Sequence, residues 1–144
     1  MDSELAPLLP LFERERSAGR AMALGVLVHT VGSTYRKPGA MLLIAGGGEY
    51  AGLISGGCLE GDLGERARAV IETGRCALVT YDLRNSDDLV WGLGLGCEGA
   101  MHILLLRVGP QEEWQPLAHL AAAQAALSPT AVGIVTESRD PGLP

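Results

Sequence analysis

A chain of 144 residues is long enough for one domain with a proper core, and an apolar content of 47% reads as globular. A net charge of −6 without a basic stripe argues against a nucleic-acid surface or an anionic membrane face. Three cysteines, at 58, 76 and 97, form no C-x-x-C and no zinc spacing, a pattern of free thiols suited to a reducing compartment.

Met1-Asp2-Ser3-Glu4 lacks the basic start of a signal peptide, and no apolar run approaches membrane-spanning length. A soluble, cytoplasmic protein is expected. Ser3 to Arg16 reads as a helix on the stripe Leu5, Leu8, Leu9 and Phe12, stopped by Gly19. Pro7 and Pro10 fit if they fall in a first turn, where the amide has no helical partner. Ala23 to Thr30 is an apolar strand, and residues 32–39 a polar loop. Ala40–Ala45 and Tyr50–Ile54 read as a hairpin through Gly46-Gly47-Gly48. From Leu59 the apolar positions take helical spacing through Leu63, Ala67, Val70 and Ile71 up to Gly74. Cys76 to Asp82 is strand-like, with Cys76 read as a structural residue inside it. Met101 to Val108 is the longest aliphatic strand, Glu113 to Leu127 an Ala-rich helix and Ala131 to Thr136 a last strand. The pattern implies one domain over 1–137, α/β or α+β, with a mixed β-sheet and flanking helices. Residues 138–144 read as the start of a linker or tail.

Chemistry concentrates at Ile54-Ser55-Gly56-Gly57-Cys58-Leu59-Glu60-Gly61. A lone cysteine beside a strand is ordinarily a small core residue. Here a glycine pair turns the strand into a helix, and Leu59, not Cys58, opens the apolar face. A thiol at a helix N-terminus ionises more readily, and the amides there suit an anion. Residues 92–99 contain G-x-G-x-x-G at Gly94, Gly96 and Gly99, but a strand and no helix follows, so a dinucleotide fingerprint is rejected. A glycine loop carrying Cys97 remains. Arg36 offers a planar fork of donors for phosphate, and Ser33 and Thr34 offer hydroxyls. Tyr35 reads as either a lid or a surface aromatic. His29, His102 and His119 are scattered and suggest no metal triad.

Together these segments resemble the N-terminal domain of the xanthine dehydrogenase accessory protein family (XdhC/CoxI). Gly32-Ser33, Arg36 and Pro38-Gly39-Ala40-Met41 look like its G-S-x-x-R-x-P-G-A-x-M loop. Ser55-Gly56-Gly57-Cys58-Leu59-Glu60-Gly61 is similar to its S-G-G-C-x-E-G core, and Tyr81-Asp82 and Trp91 to Cys97 to its Y-D and W-G-L-G-x-G-C segments. The resemblance implies an accessory protein, not an enzyme, that binds the molybdenum cofactor (molybdopterin) as cargo. A cysteine desulfurase and a xanthine dehydrogenase-type apoenzyme are the implied partners. Cys58 is the position the resemblance associates with cofactor binding, and because a thiolate suits a soft centre it is the expected contact to the molybdenum. Ser33, Arg36, Ser55, Gly56, Gly57, Glu60, Gly96 and Cys97 complete the expected cofactor site, with loops 32–39, 55–62 and 92–99 converging on it. Two other classes stay open. One is an enzyme with Cys58 as nucleophile, or paired with Cys97 in redox, and His29 as base. The other is a docking or homodimerisation module, since apolar strands and an open sheet edge favour self-association.

Overall fold

The computed structural model describes residues 4–55, 57, 59–82 and 99–139. Its axis is β1 (Met22–Val31), which pairs with β2 (Met41–Ala45) on one side and β5 (Ala100–Val108) on the other. β3 (Tyr50–Gly52) extends the sheet beyond β2, and β4 (Ala77–Asp82) extends it beyond β5. The order is β3-β2-β1-β5-β4 and every pairing is antiparallel, so the fold is α+β with helices on both faces. Strands covered on both faces read as unbroken apolar runs, and so Met22 to Leu27 are buried without alternation.

On one face, Ala23, Leu27, Leu42, Ile44, Ile103 and Leu105 meet α2 (Glu60–Thr73) through Leu63, Ala67 and Val70. Leu63 is fully buried, a contribution of about 1.5–3 kcal/mol by transfer. Gly74 ends α2 in the left-handed conformation, φ 73°, and its amide donates to Val70 O at 2.8 Å. On the other face, Met22, Leu24, Val26, Leu43 and Val108 meet Leu8 of a 3₁₀ turn (Ala6–Leu8), Phe12 of α1 (Leu9–Ser17) and Leu117 of α3 (Leu117–Ala125). Pro7 and Pro10 occupy the opening positions of the 3₁₀ turn and α1, where neither breaks a helical bond. The hairpin at 46–48 is present, with Ala45 N–H donating to Glu49 O at 2.8 Å.

Three expectations are corrected. The helix expected from Glu113 begins at Leu117, because Glu113 and Trp114 sit at φ 55° and 62°, which no helix accepts. Residues 131–136 form no strand: Ile134 packs on the second core while Val132 and Val135 stay exposed, and no described strand pairs with them. β propensity without a sheet edge to join leaves an extended segment. Cys76 is exposed and precedes β4, in the turn that leaves Gly74, rather than filling an interior. Among the described residues no helix is long and apolar enough to cross a membrane.

Candidate functional site

The antiparallel register gathers the sequence motifs at one end of the sheet. β1 ends there at Val31 and β2 begins there at Met41, so the loop 32–40 joins them at that end. β3 reaches it at Gly52, opposite Leu42, and the chain then turns into α2. Asp82 of β4 and Val31 of β1 both pair with Ala100, so β4 leaves and β5 enters at the same end. Gly99 is where that convergence is tightest. A Cβ there would lie 2.2 Å from Val31 O and 2.7 Å from Ser33 O, a gap only glycine fits.

Glu60 organises the turn between β3 and α2. It is 3% exposed, and its Oε1 accepts from Ile54 N–H at 3.1 Å and Ser55 N–H at 3.0 Å. Its Oε2 accepts from the Ser55 hydroxyl at 2.6 Å and Leu59 N–H at 3.2 Å. Leu59 N–H also donates to Ser55 Oγ at 2.9 Å. Burial pushes the Glu60 carboxyl up, but the donors on Ser55 and Ile54 outweigh it and hold the group below its ordinary value. The expectation that these amides stand open to an external anion is therefore corrected for Ile54, Ser55 and Leu59, which a carboxylate of the chain itself already satisfies. Gly57 is exposed and sits at φ 106°, a conformation that favours glycine.

Arg36 ties the neighbouring loop to this turn. Its Nη1 donates to Leu53 O at 3.0 Å and its Nη2 pairs with Glu4. Thr34 Oγ1 donates to Arg36 O at 2.8 Å and shapes the loop, while Ser33 is exposed. Glu4, Tyr35, Arg36, Lys37 and Pro38 line a surface cleft of about 350 Å³, and Tyr35 is 53% exposed at its rim. Ser33, Arg36, Ser55, Gly57 and Glu60 thus share one end of the molecule. Gly56, Cys58, Gly96 and Cys97 lie outside the described residues.

Two features escaped sequence reasoning. Glu4 pairs with Arg36 across 32 residues, which no local pattern signals. Tyr81 of β4 donates its hydroxyl to Asp62 in the first turn of α2, and Asp62 also accepts from Arg66 Nε at 3.1 Å. The Tyr81 bond is the main cause that lowers the Asp62 carboxyl, whereas burial, then Asp62, raises the Tyr81 phenol. The tyrosine of the Y-D pair therefore clamps the helix that follows the cysteine motif. His29 lies on the sheet face opposite α2, paired with His102, rather than beside the helix start. Among the described residues no three His, Cys, Asp or Glu side chains group as for a metal.

Fold and site together define a small antiparallel α+β domain in which the loop 32–40, the turn from β3 into α2 and Gly99 lie at one sheet end. The model of the XdhC and CoxI family matches residues 15–82. Over 85 residues the chain is 42% identical to a probable xanthine dehydrogenase subunit from Bacillus subtilis (strain 168), a match over 59% of this chain and 26% of that protein. A crystal structure described as a xanthine dehydrogenase from Bacillus halodurans is 36% identical, with a TM-score of 0.65, covering 85% of this chain and 36% of that one. The chain therefore spans about a quarter to a third of the length of these relatives.

Proposed function

We propose that this domain is a non-catalytic accessory module that binds the molybdenum cofactor for a xanthine dehydrogenase-type hydroxylase. The observation that supports the reading is that the loop 32–40, the turn after β3 and Gly99 meet at one sheet end, around a turn fixed from within by Glu60. The family matched over residues 15–82 and the names of the relatives supply the link to xanthine dehydrogenase. The cargo brings a phosphate and a dithiolene-held metal. Its phosphate suits the guanidinium of Arg36 and the hydroxyl of Ser33, and its soft metal end suits the Cys58 thiolate. Gly57, exposed and without a side chain, lets cargo and backbone approach closely. Glu60 acts as a positioning residue here: it holds Ser55 and the start of α2 on either side of Cys58. The partners this reading requires are a cysteine desulfurase and the apo-hydroxylase, in a cytoplasmic setting.

The test is retention of molybdopterin by the purified protein, compared with Cys58→Ala and Arg36→Ala. Loss of retention in both variants is expected. Equal retention by Cys58→Ala removes the cysteine from the site, and turnover of a thiol-reactive substrate by the protein alone favours an enzyme instead.

A further inference from the structure

His29 on β1 and His102 on β5 face each other directly across the sheet, and a β-bulge between Leu27 and His29 brings them into that register. Their ring centroids lie 5.3 Å apart with the planes tilted by 44°. Both rings stand on the face opposite α2, His29 exposed and His102 half-exposed. Thr80, the cross-strand partner of His102 on β4, holds its hydroxyl 3.1 Å from His102 Nδ1.

These dimensions match a metal chelate. A zinc ion about 2.0–2.1 Å from an imidazole nitrogen lies about 3.2 Å from that ring's centroid. Two rings that meet such an ion at a tetrahedral angle have centroids about 5.2 Å apart. The observed 5.3 Å between centroids is the spacing such a pair requires. A ligating histidine also engages its second nitrogen with a neighbouring acceptor, which fixes the tautomer. Thr80 supplies that partner at Nδ1, which leaves Nε2 of His102 to coordinate.

We propose that His29 and His102 form a two-histidine site for a borderline divalent transition-metal ion, zinc being the representative, with Thr80 as its positioning residue. Imidazole nitrogen ligands favour such ions over calcium or magnesium, which take oxygen ligands. Two protein ligands leave coordination positions open to water or to an external donor. The pair lies two register positions from Val31 and Ala100, near the end where the loops of the proposed cofactor site meet but on the face opposite α2, and neither reading depends on the other.

Calorimetric titration with Zn²⁺ tests it on the wild-type chain, His29→Gln, His102→Gln, the double variant and Thr80→Val. All five share the same cysteines, so thiol binding cancels in the comparison. One binding step present in the wild type is expected to disappear in each single variant, with no further loss in the double. Thr80→Val is expected to weaken that step by about tenfold. Nitrogen-15 spectra of the imidazoles add a readout blind to sulfur, in which zinc shifts the His29 and His102 rings. Unchanged zinc stoichiometry in the double variant, or ring signals that do not move on saturation, overturns the proposal. Circular dichroism of each variant confirms that the exposed substitutions leave the sheet folded.

Discussion

Ser55 and Glu60 hold each other from both ends: the Ser55 hydroxyl donates to Glu60 Oε2 at 2.6 Å while the Ser55 amide donates to Oε1 at 3.0 Å. The six residues from Ser55 to Glu60, the motif cysteine among them, are closed into a ring by these bonds. A buried carboxylate with this many donors is costly to remove from one side only, because the amides it satisfied are left dry. Glu60→Ala is therefore expected to lower stability by about 1–3 kcal/mol, and urea unfolding reads it as a shift in midpoint with little change in slope. The same variant is expected to scatter the turn around Cys58 and weaken molybdopterin retention, even though Glu60 does not reach outward.

The pH dependence follows in sign from the same bonds. The folded Glu60 carboxyl titrates below its ordinary 4.5, so its contribution is fully present above that pH and is lost as pH falls through the lower folded value. Wild-type stability is expected to decline on acidification below about 4.5 more steeply than that of Glu60→Gln, whose amide does not titrate. Thermal unfolding from pH 7 to pH 3 measures the difference. Parallel curves for the two proteins would show that Glu60 is not the group involved.

Much of this architecture is legible in the sequence because burial is strong there. β1, β2 and β5 are aliphatic runs, and α2 has an apolar stripe that closes on a glycine, so each falls within a residue or two of its expected span. What is not legible depends on distant partners. Ala131 to Thr136 has strand composition, but a strand exists only where a neighbour offers its edge. Pro110 to Pro116 interrupts the Ala-rich helix through left-handed backbone at Glu113 and Trp114, two residues whose types give no warning of it. In the site, the motifs name Ser33, Arg36 and Ser55, but only the strand register brings them to one end. The inward turn of Glu60 was not: it follows Ser55 by five positions, outside the capping-box spacing that marks a reciprocal cap.

Gly99 makes the contact between the glycine-rich connection and the Ser33 loop quantitative. A methyl group there meets two backbone oxygens, Val31 O and Ser33 O, neither of which rotates away. Gly99→Ala is expected to destabilise the domain by about 1–3 kcal/mol, the usual range for overpacking. Amide exchange at residues 31–34 is expected to rise in the variant, while exchange in the 46–48 hairpin, at the opposite end of the sheet, stays unchanged. A wild-type melting temperature in Gly99→Ala would refute the close approach.

Tyr81 and Asp62 give a prediction on the alkaline side. Burial foremost, and then the Asp62 carboxylate, keep the phenol protonated well above its ordinary 10.0. A group raised in the folded state stabilises below its unfolded value and ceases to do so as pH climbs through the folded one, so this clamp persists until the pH is well past 10. Ultraviolet titration is expected to show one phenol that ionises late, and Tyr81→Phe to remove that component alone. In the same variant the Asp62 carboxyl rises towards its ordinary 3.8, since its principal donor is gone, and carbon-13 titration of the side chain would register the change.

Arg36 separates charge from geometry. Its guanidinium reaches Leu53 O with one amino group and Glu4 with the other, so it links the N-terminal segment, the 32–39 loop and the strand that feeds the Glu60 turn. The ion pair is partly exposed, 31% and 40% for the two side chains, and pairs of that kind contribute at most about 1 kcal/mol. Arg36→Lys keeps the positive charge but loses the planar fork, and Arg36→Gln loses both. Both variants are expected to melt within a few degrees of the wild type. Retention of molybdopterin is expected to fall in the order wild type, Arg36→Lys, Arg36→Gln, because a phosphate reads the fork as well as the charge. Equal retention by all three would confine Arg36 to holding the loop and place the phosphate contact elsewhere on this end of the sheet.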